Sequence, residues 1–280
     1  MREKRKKGVL LFTALCCVAF AVYFVLSRQA VDHTVPEISF LNEEIEVSVG
    51  ATETELLSGV TARDARDGDV TGSLVVEGVS ALEPDHTAEV TYAAFDKAGN
   101  VAKARRTLRY TDYQSPRFTL SAPLVFRSGT SFNVLNYIGA EDVIDGALDG
   151  RIKATLVSRE SSVTAEGIHE VEFRATNSMG ETIYLTIPVE VYSSSAYNAT
   201  VELSENLVYL EKGARFDPNS YLKTLRVSGD LIDLRSYSDR VSVSASSDVS
   251  TGTPGTYSVA YTVKYGNYTG YTRLIVVVEE

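Results

Sequence analysis

Four aspartates in the first half of the chain have the residue type and spacing of a metal site. Asp64, Asp67 and Asp69 crowd the stretch DARDGDVTGSL, and Asp96 lies in a later turn, DKAGN, that can approach them. Calcium takes about six to eight oxygen ligands, several of them from carboxylates. These four side chains are therefore a candidate calcium site.

A structural role for the same aspartates is the alternative. Asp-Gly sequences form turns, and an Asp side chain in a turn accepts hydrogen bonds from nearby backbone amides. The stretch also lacks the Gly-containing loop closed by a glutamate that marks an EF-hand. A similar set, Asp142, Asp145 and Asp149, recurs further along the chain and is open to the same two interpretations.

A second candidate site lies in KYGNYTGY, near the end of the chain. Exposed aromatic rings offer flat surfaces to sugar rings or partner proteins. Asn267, Tyr268 and Tyr271 fall in or just after a predicted turn, so they are the candidate ligand-binding residues. Tyr257 and Tyr261 precede that turn at alternating positions, which predicts that they face the core.

The sequence contains no residue set typical of an enzyme. Its three histidines, His33, His86 and His169, do not have zinc-site spacing. The stretch SYLK (220–223) fits Ser-x-x-Lys, but the companion motifs of that chemistry are missing. We therefore expect no catalytic residues and no cofactor other than calcium.

The N-terminal residues have the pattern of a membrane anchor. The first seven hold five Lys/Arg and one Glu, and no charge occurs from Gly8 to Leu26. A helix of 19 residues spans most of a hydrocarbon core of about 30 Å, and the run is longer than the apolar region of a cleaved signal peptide. The excess of positive charge before the run predicts a cytoplasmic N-terminus.

Charge and cysteine content limit the classes of partner. The other 273 residues carry 22 basic and 36 acidic side chains, a net charge of −14, which disfavours nucleic acid. Both cysteines, Cys16 and Cys17, lie in the apolar run, so the exported part has no disulfide. Secreted domains of eukaryotes commonly use disulfides, so this composition favours a bacterial protein.

Beyond the anchor, strand patterns recur and convincing helix patterns do not. The stretches EIEVSV (44–49), YLTIPVEV (184–191) and YSVAYTVKY (257–265) alternate apolar and polar residues. This period of two is typical of antiparallel sheets with one buried face. The sequence therefore predicts an all-β protein.

The strand before the DKAGN turn occurs three times, which predicts three domains in tandem. The inward residues match in three sets: Val90, Tyr92 and Ala94; Val171, Phe173 and Ala175; Val259, Tyr261 and Val263. The predicted boundaries are a cytoplasmic tail (1–7), a transmembrane helix (8–27), a linker (28–35) and three domains (36–112, 113–194 and 195–280).

The first repeat resembles the bacterial surface immunoglobulin-like repeats of the pesticidal-crystal-protein type, relatives of hyalin repeats. The resemblance covers that repeat almost end to end and lies in Pro36, Ala62, Asp64, Asp67, Gly68, Asp69, Val70, Thr71, Val90, Tyr92, Asp96, Gly99 and Asn100. The second repeat keeps part of this pattern but has Asn177 in place of the turn aspartate, and the third lacks the Asp-Gly-Asp loop. The resemblance implies a β-sandwich of about seven strands, repeated as a surface stalk, and no catalytic activity.

Together these features predict a membrane-anchored extracellular protein of a bacterial surface, made of three immunoglobulin-like sandwiches. Its predicted role is that of a binding or adhesive module for a cell-wall glycan or an envelope or host protein, with the ligand site on the domain farthest from the membrane. The alternative is a structural spacer or a non-catalytic subunit of a cell-envelope complex. The two differ in whether the third domain binds a ligand by itself.

Overall fold

The computed structural model describes residues 2–30, 32–157, 163–193, 195–236 and 240–280. The chain divides into two compact units, unit 1 (Met1–Tyr113) and unit 2 (Gln114–Glu280). Beyond its N-terminal helix the described chain is built almost entirely of strands, so the all-β prediction is confirmed. The division of the chain into three domains stays a prediction.

The longest helix, α1 (Arg2–Ala30), contains the whole uncharged stretch of 8–26. Among the described residues, no helix combines the length and apolarity needed to cross a membrane. The structure thus gives no support to the transmembrane helix predicted over residues 8–27.

Beyond α1, unit 1 folds into strands with one short α-helix after β2. The elements are β1 (Glu37–Phe40), β2 (Glu44–Val47), α2 (Glu53–Leu56), β3 (Val60–Asp64), β4 (Gly68–Asp69), β5 (Val75–Val79), β6 (Thr87–Phe95) and β7 (Val101–Tyr110). The short helix was not predicted, although its start is encoded locally. Thr52 and Glu55 form a reciprocal capping box that satisfies backbone donors at the helix N-terminus.

The strands of unit 1 form two sheets that enclose a core. One sheet has the order β1-β3-β4 and the other β2-β7-β6-β5, with β2 parallel to β7 and the remaining pairs antiparallel. Phe40 on β1 and Tyr92 on β6 pack with ring centroids 5.6 Å apart, so the two sheets face each other. The fully buried Tyr92 donates its hydroxyl to Leu56 O at 2.7 Å, which satisfies its polar end.

Unit 2 contains the strands of the second and third repeats. They are β8 (Arg117–Leu120), β9 (Val125–Arg127), β10 (Ile138–Asp142), β11 (Gly146–Ala147), β12 (Lys153–Leu156), β13 (Gly167–Thr176), β14 (Thr182–Tyr192), β15 (Ala199–Leu203), β16 (Leu207–Leu210), β17 (Leu222–Val227), β18 (Asp230–Asp233), β19 (Val241–Ser247), β20 (Gly255–Tyr265) and β21 (Tyr268–Val278). The second repeat copies the two sheets of the first, as β11-β10-β8 and β12-β13-β14-β9.

The third repeat connects its strands differently. Strand β21 pairs with β20 along its length, and it pairs in parallel with β15 near its start and with β16 near its end. All seven strands of this repeat therefore belong to one continuous sheet, β18-β17-β15-β21-β20-β19 with β16 beside β21.

Alternation along the strands places the cores of unit 2 where the sequence predicts them. Leu185, Ile187, Val189 and Val191 on β14 are buried, and so are Val259, Tyr261 and Val263 on β20. The core of the second repeat also includes Ile275, which belongs to β21 of the third repeat. The second and third repeats therefore share apolar packing within unit 2.

Candidate metal site and candidate ligand surface

Four aspartates of unit 1 converge at one end of its sandwich. One carboxylate oxygen from each of Asp32, Asp64, Asp67 and Asp96 lies within 4.8 Å of the others. Asp64 and Asp96 are buried, with 2% and 8% of their surface exposed, whereas Asp32 and Asp67 are half-buried. Three of the predicted residues are thus brought together, and Asp32 replaces Asp69. We call these four residues the Asp cluster.

Asp64 is fixed by the turn that follows β3. Its Oδ1 accepts hydrogen bonds from the amides of Arg66 (2.7 Å) and Asp67 (2.9 Å), and Gly68 supplies the positive φ of +75° that the turn requires. These two amides hold the pKa of Asp64 below its ordinary value, because they stabilise the ionised carboxylate. Its Oδ2 accepts from Thr34 Oγ1 at 3.2 Å.

Asp96 comes directly after β6, in the turn that leads to β7. Its Oδ1 accepts from the amide of Asn100 at 2.8 Å, and its Oδ2 accepts from Asn100 Nδ2 at 2.7 Å. Gly99 has a φ of +87° in this turn, as its position in the sequence predicts. Asn100 also donates to Asp32 O at 3.2 Å, which ties the segment before β1 to the β6–β7 turn.

Asp32 and Asp67 complete the cluster from its more exposed side. Asp32 Oδ1 accepts from the hydroxyl (2.6 Å) and the amide (3.0 Å) of Thr34, and these bonds lower the pKa of Asp32. Asp67 Oδ2 accepts from the amide of Lys97 at 2.8 Å. Two exposed cations form long ion pairs with these carboxylates, Arg66 at 3.9 Å from Asp32 and Lys97 at 3.6 Å from Asp67. Four carboxylates and two loosely held cations give the site a net negative charge.

Asp69 lies outside the cluster. Its Oδ1 accepts from the amide of Thr71 at 2.9 Å, and this bond lowers its pKa. Its role is the local turn that the alternative interpretation describes. Asp32 was not predicted because it lies in the segment before the first strand, where no pattern in the sequence indicates which loop it approaches.

The second repeat reproduces the same turn with one decisive change. Asp142 Oδ1 accepts from the amides of Ile144 (2.7 Å) and Asp145 (2.8 Å), as Asp64 does in the first repeat. Asn177 stands where the first repeat has Asp96, and its Nδ2 donates to Asp142 Oδ2 at 3.1 Å. Asp145 is bound by Arg151 Nη1 at 2.7 Å. An amide donor thus takes the place of one carboxylate, and an arginine pairs closely with another, which favours the structural interpretation for the second repeat.

Asp149, the third acidic residue of this set, also has a backbone partner. Its Oδ1 accepts from the amide of Ala140 at 3.3 Å. In the first repeat the amide of Ala62 donates to Thr71 Oγ1 at 3.0 Å at the matching place. Asp149 therefore closes the turn in the way that a threonine does in the first repeat.

The predicted ligand-binding residues of the third repeat are largely engaged within the protein. Tyr268 is half-buried and packs against the core of this repeat. Asn267 is exposed, and its carbonyl accepts from Asn198 Nδ2 at 3.2 Å. The turn is only the two residues between β20 and β21, so Tyr271 lies within β21 rather than in a loop.

Tyr271 belongs to a hydrogen-bonded network with β14 of the second repeat. Its hydroxyl donates to Glu190 Oε2 at 2.6 Å, and Arg273 Nη2 binds the same oxygen at 2.7 Å. The Tyr271 ring stacks on Tyr197 with centroids 5.1 Å apart. Burial and the adjacent Glu190 carboxylate raise the pKa of Tyr271. The residue therefore connects two repeats instead of offering a free aromatic surface.

Comparison with known proteins gives few relatives. No family model matches the chain. A curated relative, the uncharacterized 81.3 kDa protein of Acholeplasma phage L2, is 27% identical over 184 residues, which are 64% of this chain and 23% of that protein. The chain thus spans about a quarter of the length of this relative.

Solved structures with some similarity are of two kinds. One is the M60 catalytic domain with CBM51-1 and CBM51-2 of Clostridium perfringens ZmpB, which is 11% identical with a TM-score of 0.23 over 89% of this chain and 31% of that one. Another is Drosophila N-cadherin EC1-4, which is 12% identical with a TM-score of 0.23 over 89% of this chain and 76% of that one. Mouse cadherin-23 EC22-24 is 12% identical with a TM-score of 0.22, over 88% of this chain and 99% of that one. Scores of this size describe a weak overall similarity.

Proposed function

We propose that this chain is a non-catalytic, immunoglobulin-like module of a bacterial surface and that calcium bound at the Asp cluster stabilises its first sandwich. The observation that carries the proposal is the convergence of four carboxylates within 4.8 Å. Two of them are buried, and a bound cation would relieve the repulsion between the like charges at this distance. Calcium accepts this kind of ligand set, since carboxylates, backbone carbonyls and water complete its coordination.

Calcium titration of the full chain tests this proposal. Terbium luminescence and isothermal calorimetry should both give saturable binding of one ion. The melting temperature should rise with added calcium and fall back with chelator. A melting curve that is the same in calcium and in chelator would refute the calcium part of the proposal.

The proposed biological role is binding of a cell-wall glycan or of an envelope or host protein. The resemblance of the first repeat to the crystal-protein and hyalin-type repeats supports it, and the acidic exported part disfavours nucleic acid as the partner. A glycan array and an envelope-protein pull-down with the full chain test it. Tyr268→Ala, compared with Tyr184→Ala on β14, asks whether the ligand contacts the predicted residues of the third repeat.

A structural spacer or non-catalytic subunit of an envelope complex is the second candidate. The network of Tyr271, Glu190 and Arg273 favours it, because these side chains bind one another and join two repeats. Absence of any glycan or protein partner for the full chain, with the fold intact, would favour the spacer over the adhesive module.

Surface location and membrane attachment are also proposed. Their support is the basic N-terminal heptad and the exposed apolar side chains of α1, among them Leu10, Phe12, Leu15 and Phe20. Membrane fractions should retain the full chain after carbonate extraction, and protease added to intact cells should digest residues 32–280. A freely soluble full chain would refute the anchor.

A further inference from the structure

A cavity of about 540 Å³ lies in unit 1, at the turn that joins β1 to β2. This volume falls in the range of about 300–1,000 Å³ that is typical of small-molecule sites. It shares no residue with the Asp cluster. The cavity is lined by Leu41, Asn42, Glu44, Ile45, Glu46, Ser58, Gly59 and Arg106.

Arg106 brings a positive charge to this cavity wall, and its guanidinium lies over the Phe40 ring, 5.8 Å from the ring centroid. The residue is only 4% exposed, and its Nη1 and Nη2 donate to two backbone carbonyls, Ser58 O at 2.8 Å and Glu44 O at 3.3 Å. Its Nε is buried without a hydrogen-bond partner, and in the part of the chain that the structure describes no carboxylate forms an ion pair with it. A buried charge without a counter-ion lowers the stability of the fold, and a bound anion would offset this loss.

The fold itself does not require a cation at this position. Arg106 on β7 is paired with Val90 on β6. In the second repeat Val171 is paired with Ile187, and in the third Val259 is paired with Leu274. Ile187 and Leu274 are fully buried apolar side chains. The first repeat therefore has an arginine where the other two repeats fill the core with an aliphatic residue.

The remaining lining groups limit the charge that a bound anion can carry. Asn42 and Ser58 bring an exposed amide and hydroxyl, and Leu41 and Ile45 bring apolar surface. Glu44 also lines the cavity, but its Oε1 is bound by Arg109 Nε at 2.7 Å. Glu46 adds a second carboxylate to this wall, and such acidic neighbours disfavour a dianion such as phosphate more than a monoanion.

We propose that this cavity binds a small monocarboxylate of monosaccharide or amino-acid size, with its carboxylate compensating Arg106. The amide and hydroxyl of Asn42 and Ser58 supply hydrogen bonds to the polar groups of the ligand. The proposal does not depend on calcium binding at the Asp cluster.

The proposal is tested by comparing the binding of two carboxylates with the binding of their neutral counterparts. The full chain is used, in excess calcium. Sodium glucuronate is paired with glucose, and sodium N-acetylalaninate with N-acetylalaninamide, in titrations followed by NMR or calorimetry. At least one carboxylate should bind saturably, with at least tenfold higher affinity than its neutral counterpart. The carboxylate that binds identifies the source as an acidic sugar or an amino-acid carboxylate.

Substitutions of Arg106 complete the test. Arg106→Leu introduces the residue of the third repeat, and Arg106→Gln keeps hydrogen-bonding capacity while removing the charge. Both should weaken carboxylate binding at least tenfold. Ser58→Ala leaves Arg106 in place and should weaken binding by a smaller factor, which keeps the test valid if the Arg106 variants fail to fold. Lack of saturable binding by either carboxylate, equal binding of the neutral compounds, or full affinity in Arg106→Gln would overturn the proposal.

Discussion

Asn177 Nδ2 donates a 3.1 Å hydrogen bond to Asp142 Oδ2 in the second repeat, whereas the first repeat has the aspartate Asp96 at the position of Asn177. The two turns are otherwise closed in the same way, because each leading aspartate accepts two backbone amides. The second repeat thus replaces one carboxylate by an amide donor. The first repeat keeps two buried carboxylates that face each other, which is the arrangement that a divalent cation satisfies.

The substitution Asp96→Asn is expected to abolish the calcium response of unit 1. It introduces the asparagine of the second repeat, so the variant should fold. The new amide nitrogen loses the bond from Asn100 Nδ2 and should donate to Asp64 instead. For the unchanged protein, calcium at one hundred times its Kd should add about 2.7 kcal/mol to the free energy of unfolding. The variant should lose most of this gain, measured by thermal melting in calcium and in chelator.

Asp69→Asn is the matched control for that experiment. Asp69 lies in the same loop, but it is not part of the Asp cluster and binds the amide of Thr71. This variant should keep the calcium response. An equal loss of response in both variants would show that the loop as a whole, and not the cluster, is responsible.

Acid is expected to destabilise unit 1 partly through Asp64. Hydrogen bonds from the amides of Asp67 and Arg66 hold its folded-state pKa below the unfolded value of 3.8. Its contribution is therefore fully present above the unfolded pKa and is lost as pH falls through the lower folded-state pKa. In the presence of chelator, stability should decline below about pH 4, and Asp64→Asn should show a shallower decline. Superimposable pH profiles of the two proteins would contradict this assignment.

Alternation of side chains made the strands and their buried faces predictable. Ile187 and Val189 on β14, or Val259 and Val263 on β20, face the core because successive side chains of a strand point to opposite sides. The turns were predictable for a similar reason, since Gly68 and Gly99 occupy backbone conformations that few other residues adopt. Interactions between residues close in sequence therefore determine most of the strands and turns.

The sites were only partly predictable because they depend on contacts between distant segments. Asp32 lies close to the loop of Asp64 because of the path that the chain takes before β1. The periodicity of apolar residues in the sequence does not predict that path. Tyr271 was expected near an exposed turn, but β21 begins at Tyr268 and brings its hydroxyl to Glu190, 81 residues earlier in the chain. Burial of Arg106 was likewise missed, since an arginine in a strand is usually exposed.

The substitution Glu190→Gln is expected to weaken the connection between the second and third repeats. Glu190 binds Tyr271 and Arg273 in a site where the Arg273 and Glu190 side chains are only 13% and 16% exposed. Removal of the charge leaves Arg273 without its counter-ion, which should lower the free energy of unfolding by about 1–3 kcal/mol. Urea unfolding followed by circular dichroism measures this loss.

An exposed ion pair between the same repeats provides the control. Arg117 Nη2 and Glu279 Oε2 lie 2.6 Å apart, and their side chains are 53% and 35% exposed. Glu279→Gln should cost less than about 1 kcal/mol, as exposed pairs usually do. If Glu190→Gln were no more harmful than Glu279→Gln, the Tyr271 network would have no special role in stability.

Gly270 is expected to be essential for packing in the third repeat. A Cβ atom at this position would lie 2.8 Å from both Leu225 Cδ1 and Val201 Cγ2, and 3.1 Å from Ala199 O. Leu225 is fully buried, so it has little room to move, and Gly270→Ala should destabilise the protein by about 1–3 kcal/mol. Gly252→Ala is the matched control, because nothing lies within 4 Å of its added Cβ, and its effect should stay within about 0.5 kcal/mol. Equal urea midpoints for the two variants would mean that β15 and β17 can move away from β21 at no cost, contrary to the tight packing of this core.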